Sequence, residues 1–136
     1  PLDRCARIAA SIARTRPRAR EILDEHTLDD DLWDTLKAHW AAEIKAENER
    51  GKTALLRVYD AAYVAQLEQE RGPIDVDQYA KLVVASERGR GDPMLAELGL
   101  PSSAMLRIHR VWMQRMMKDA EVRTQVRRAV EAESDA

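Results

Sequence analysis

Apolar side chains recur along this chain at steps of three and four residues. Leu32, Trp33, Leu36, Trp40 and Ile44 form one series, and Met105, Ile108, Trp112 and Met116 form another. Such steps return to one side of an α-helix at every turn, so each series predicts a helix with one buried stripe. Leu55, Leu56, Val58, Tyr59, Ala62, Tyr63, Val64 and Leu67 give a third helix with a broader apolar face. Tyr59 and Tyr63 stand one turn apart on it, spaced to form either core packing or a ridge for a partner.

The pattern repeats. A shift of 72 residues lays Leu23 on Leu95, Leu28 on Leu100, Leu36 on Ile108 and Trp40 on Trp112. A shift of 74 lays Ala6 on Ala80 and Ile8 on Leu82, and the two-residue difference falls in polar stretches that a loop absorbs. The expectation is an all-α helical bundle of two pseudo-repeats, 1–72 and 73–136, within a single domain spanning 1–136. Each has a helix-turn-helix-like core and a fourth helical stretch. Helices are predicted over roughly 3–15, 19–26, 29–50 and 52–71, then 76–88, 92–98, 102–118 and 119–133. Arg71-Gly72-Pro73 separates the repeats, because Gly suits the residue after a helix and Pro cannot continue one. Asp75 followed by Gln78 has the spacing of a capping box that restarts the chain. The third helices are expected to pack into one shared core through Leu36, Trp40, Ile108 and Trp112.

Composition supports helix nearly everywhere: 34% of residues are charged, 45% are hydrophobic, Gly and Pro number five each, and there is no Phe. With 22 basic and 24 acidic side chains, overall charge singles out neither nucleic acid nor an anionic membrane. No apolar run approaches the ~20 residues of a membrane span, so no membrane association is expected. A lone Cys5 and the lack of a signal-like segment suit a cytoplasmic setting. The start at Pro1 is that expected of a piece of a larger protein.

Candidate chemistry is sparse. Asp29, Asp30, Asp31 and Asp34 lack the Gly and the distant Glu of an oxygen-ligand loop, and their place at a helix start explains them as capping groups. His26, His39 and His109 have no zinc-site spacing, and no nucleophile elbow or phosphate-binding loop occurs. No catalytic residue, cofactor or metal is therefore expected, and the chain is read as a non-enzyme.

Two binding readings remain. Glu97-Leu98-Gly99-Leu100-Pro101, followed by a helix carrying Arg107, Arg110, Arg115 and Lys118, resembles a helix-turn-helix, with residues 102–118 as a DNA-reading helix. Leu95 stands where such motifs carry a small residue, and the matching helix of the first repeat opens on three aspartates that repel phosphate. Protein–protein interaction ranks above it, with nucleic acid second. The first repeat carries Glu21, Asp24, Glu25 and Asp29–Asp31 while the second carries the arginines, a polarity suited to capturing an acidic protein segment. Arg107, Arg110, Arg115, Lys118, Tyr59 and Tyr63 are the expected partner-binding residues. Weak head-to-tail self-association between the acidic and basic regions is expected at high concentration.

The order apolar-Asp-x-x-Ala-basic-apolar on a first helix, followed by a third helix ending at Trp, occurs over Leu2–Trp40 and again over Val76–Trp112. It resembles small helical repeats attached to uncharacterised proteins that accompany type VI secretion genes in myxobacteria and related bacteria. The resemblance implies an accessory or adaptor domain of a bacterial protein, with no catalytic motif to carry over.

Overall fold

A computed structural model describes residues 1–136. The chain is all-α, with eight helices: α1 (Leu2–Arg14), α2 (Ala19–Glu25), α3 (Asp30–Glu49), α4 (Ala54–Arg71), α5 (Val76–Glu87), α6 (Gly91–Glu97), α7 (Met105–Lys118) and α8 (Ala120–Asp135). Short 3-10 turns at Arg16–Arg18 and Ser102–Ala104 lead into α2 and α7. The order follows the apolar periodicity closely.

Aspartates start three of the helices. Asp29 accepts from the Leu32 amide at 2.7 Å, Asp75 from Gln78 at 2.8 Å, and Asp119 from Glu121 at 2.9 Å. Each satisfies a backbone N–H that the first turn leaves without a helical partner. The aspartate cluster at 29–31 is thus in part a helix start, as its position suggested. Glu47, near the end of α3, performs the same service for α4 by accepting from the Leu55 amide at 2.7 Å.

Four helices end alike, on a residue with positive φ followed by an amide that reaches back five positions. Leu28 bonds to the Leu23 carbonyl around Thr27, and Leu100 to Leu95 around Gly99. Lys52 bonds to Glu47 around Gly51, and Arg90 to Ala85 around Gly89. Three of the four pivots are glycine, which enters that region without a Cβ clash; Thr27, at φ 58°, does so with a branched side chain.

The chain divides into two compact units, Pro1–Glu70 and Arg71–Ala136. In the first, Cys5, Ile8, Ile22, Leu23 and Trp33 form a buried cluster, with Leu28, Leu36, Trp40 and Tyr59 packed at its margin. Polar contacts join α1 to α4: Arg7 to Gln66 at 3.4 Å, Ser11 to Glu70, and Arg14 to Glu70 at 3.6 Å. In the second unit α5 packs against α6 and α8, and α7 against α8. Tyr79, Leu82, Leu95, Ile108, Trp112 and Val126 are buried there. The residues expected to share one core are therefore divided between two compact units.

One member of the predicted α3 stripe does not belong to it. Leu32 is 53% exposed, whereas Trp33 beside it is buried. At 100° per residue, Trp33, Leu36, Trp40 and Ile44 cluster on one side while Leu32 lies nearly a quarter turn away.

Candidate functional site

The expected interaction residues fall into three different environments. Tyr63 is only 4% exposed, and Tyr59 packs against the cluster of the first unit while stacking on Tyr63 with ring centroids 6.4 Å apart. Of the two rings one turn apart, Tyr63 is buried and Tyr59 is partly so, leaving Tyr59 as the member of the pair with surface to offer. Val58, 49% exposed, marks the outward side of that helix.

Arg115 is half-buried, its guanidinium 4.9 Å from the centre of the Trp112 ring. A cation over an indole face is held by the ring quadrupole, so this arginine serves packing as well as charge. It belongs to a stack on the inner side of α7. Tyr79 lies parallel to Trp112, centroids 4.8 Å apart and 5° from coplanar, and its Oη is 3.0 Å from His109 Nδ1. Burial pushes the Tyr79 phenol up to about 12 and lowers the His109 imidazole below its usual value. Both groups are thereby held neutral at physiological pH. The indole Nε1 of Trp112, like that of Trp40, is buried with no protein partner.

Arg107 and Arg110 are half-buried on the flank of α7, and Lys118 is exposed at its last turn. Sequence reasoning missed what lies beside them. Leu106, Met113 and Met117 are 68%, 52% and 71% exposed, three of the five large hydrophobic side chains that the chain leaves open to solvent. Steps of seven and four place all three within about 40° of one another, on the side of α7 opposite Ile108 and Trp112. The signal for this face is the seven- and four-residue spacing itself, once the positions are projected around the helix axis. Helix α7 thus carries two apolar faces, one buried and one bare. It contains four basic residues and no acidic one.

The acidic surface of the first unit is less polar than its sequence. Arg18 bonds Glu21 at 3.0 Å and lies 3.7 Å from Glu25, Arg20 reaches Asp30 at 2.8 Å, and Lys37 lies 3.5 Å from Asp34. The Arg18 hydrogen bond holds the Glu21 carboxyl below the usual carboxylate range. No group of three or more His, Cys, Asp or Glu side chains is placed to hold a metal ion, and no helix is long and apolar enough to cross a membrane. Cys5 is buried, and burial raises its thiol above the ordinary value. No protein-family model matches the chain, and neither a characterised protein nor a solved structure is similar to it.

Proposed function

We propose that the chain is a non-enzymatic protein-interaction domain whose recognition surface is the outer side of α7. The observation that carries this reading is the bare apolar stripe of Leu106, Met113 and Met117, opposite the buried Ile108 and Trp112 of the same helix. Isolated exposed hydrophobic residues are ordinary, but a row of them opposite a helix's own buried face is what partner surfaces present. The setting of an adaptor within a larger bacterial protein, cytoplasmic and associated with secretion, rests on the sequence and its resemblance alone. So does the view of the two units as diverged copies of one repeat, to which the matching helix ends at Thr27 and Gly99 lend support.

The second reading, DNA binding by residues 102–118, draws on the four basic side chains of α7. The stripe weighs against it. A helix lying in a major groove meets phosphates and base edges, which call for polar and basic groups where Leu106 and Met113 project.

A photo-crosslinking amino acid placed at Met113 and activated in the source cells distinguishes the two. The expected result is a light-dependent adduct to protein, lost in Leu106→Glu. Sub-micromolar binding of duplex DNA at physiological salt, weakened by Arg107→Ala and falling steeply with added salt, would establish the DNA reading instead.

A further inference from the structure

We propose that the outer flank of α7 binds a soft monovalent metal ion, copper(I), through the imidazole Nε2 of His109 and the thioether sulfurs of Met113 and Met117. Such a site is independent of the protein-interaction reading and of whatever covers the apolar stripe.

The three residues follow one another at i, i+4 steps, which puts neighbouring Cβ atoms about 6 Å apart and about 40° apart around the axis. Long side chains on a helix lean toward its N-terminus, a direction that carries the Met113 thioether toward His109 and the Met117 thioether toward Met113. Three rotatable bonds let each sulfur adjust to a common point. His109 stands on the boundary between the two faces of α7, with Trp112 about 60° to its inner side and Met113 about 40° to its outer side. On the inner side its Nδ1 is 3.0 Å from Tyr79 Oη. The two nitrogens of an imidazole point in divergent directions, so Nε2 is turned away from that bond. A ring held through its other nitrogen is an oriented ligand, and Tyr79 is itself fixed by its stack on Trp112. Met113 and Met117 are 52% and 71% exposed, so an ion reaches both sulfurs from solvent without opening the core.

The donor set selects the ion. One imidazole nitrogen and two thioether sulfurs carry no charge, and α7 contains no carboxylate. Calcium and magnesium require oxygen donors, and zinc draws on Cys, His and acidic residues, which are nowhere grouped in threes to hold a metal. Thioethers favour copper(I). Four basic side chains share the helix, and they repel a singly charged ion about half as strongly as a doubly charged one. Cys5, the one thiol of the chain, is 1% exposed and belongs to the buried cluster of the first unit, out of reach of an ion in solvent. Ligand spacings built on Cys, His and Asp pass over such a site, because methionine at helical steps reads as core.

The test uses the full chain with copper(I) under anaerobic conditions, and silver(I) as a redox-inert substitute. Competition with the chromophoric chelator bicinchoninate is expected to show about one equivalent of copper(I) bound per chain, on the donor count of the site. Met113→Leu removes the central donor and should weaken binding at least about tenfold, a ligand mattering no less than the outer groups that orient it. Adding Met117→Leu should abolish binding. Leucine preserves both the helix and the apolar stripe, so these variants separate metal binding from protein recognition. Silver(I) titrated into chain labelled with 13C at the methionine methyls and 15N in the histidine rings should move the signals of Met113, Met117 and His109 Nε2. Met94, on α6, should stay in place. Reading His109 by its own resonance avoids a substitution that would also break its bond to Tyr79. Zinc(II) should move none of these signals. Copper(I) binding undiminished in the double Leu variant, or lost in Cys5→Ala, would overturn the proposal. So would no binding at micromolar copper(I), a His109 Nε2 signal that silver(I) leaves in place, or zinc(II) that competes at equal concentration. Light-dependent capture of a protein at Met113 by a chain that binds no metal would overturn this site and leave the interaction reading standing.

Discussion

Tyr79 and His109 share a hydrogen bond, yet they respond to pH from opposite ends of the scale. Tyr79 is 3% exposed, and burial pushes its phenol up to about 12, so between its ordinary value and that point the unfolded chain loses this proton while the folded chain keeps it. Stability from this group is complete below about pH 10 and declines as pH rises from there to about 12. His109 is a base lowered by burial, so the unfolded chain takes up its proton first as pH falls. Its contribution is complete above about pH 6.5 and declines below that, until the folded imidazole also protonates. Denaturant melts are expected to show a plateau between these limits, and Tyr79→Phe should remove the alkaline decline while also breaking the bond to His109. A direct check is ultraviolet titration: the Tyr79 phenolate should appear well above the pH at which an ordinary phenol ionises, and that step should be missing in Tyr79→Phe. A Tyr79 that titrates near its ordinary value would show that the Trp112 stack opens to water.

At the scale of helices, the ends decide where each element stops, and Thr27 is where sequence and backbone conflict. Its φ of 58° lies in the left-handed region, costly for a branched residue and free of clash for glycine. Thr27 is exposed, so little packing is lost on its removal. Thr27→Gly is therefore expected to stabilise the chain by about 0.5–1 kcal/mol, the relief of strain exceeding the added freedom of the unfolded backbone. Gly99→Ala should act in reverse, destabilising by about 1 kcal/mol, since nothing lies within 4 Å of a Cβ there and only the backbone resists. A pair of thermal melts with shifts of the same sign would refute the account. Most helix boundaries were legible because Asp29, Asp75, Gly51, Gly89 and Gly99 are punctuation with a mechanism. The end at Thr27 was not, since nothing about threonine marks a left-handed pivot. Periodicity likewise locates the buried faces of α3 and α7, but three- and four-residue steps alone do not say which apolar residues fall off the stripe. Projected at 100° per residue, the same letters separate Leu32 from Trp33, and Leu106, Met113 and Met117 from Ile108 and Trp112. The fate of Tyr59 and Tyr63 needed the tertiary structure, because spacing alone shows that two rings share a side without showing what covers it.

At the scale of the whole molecule, charge written in the sequence is not charge offered to a partner. The first unit reads as acidic, but Glu21, Glu25, Asp30 and Asp34 face Arg18, Arg20 and Lys37, and Asp29 accepts from its own helix. These are exposed pairs, each of little consequence for stability, yet together they flatten the potential that head-to-tail association between copies would need. The basic side of α7 has a different character, because apolar surface lies beside its charge. Salt at physiological strength screens exposed charges beyond about 8 Å but leaves apolar contact largely intact. Sedimentation of the chain at low and at physiological salt is accordingly expected to give the same weight-average mass, with Asp24→Asn and Asp31→Asn without effect. Any association that grows with concentration should persist when salt is added and disappear in Met117→Glu. An assembly that forms only at low salt and is abolished by Asp31→Asn would return the acidic surface to the role of a docking partner and place the copies head to tail.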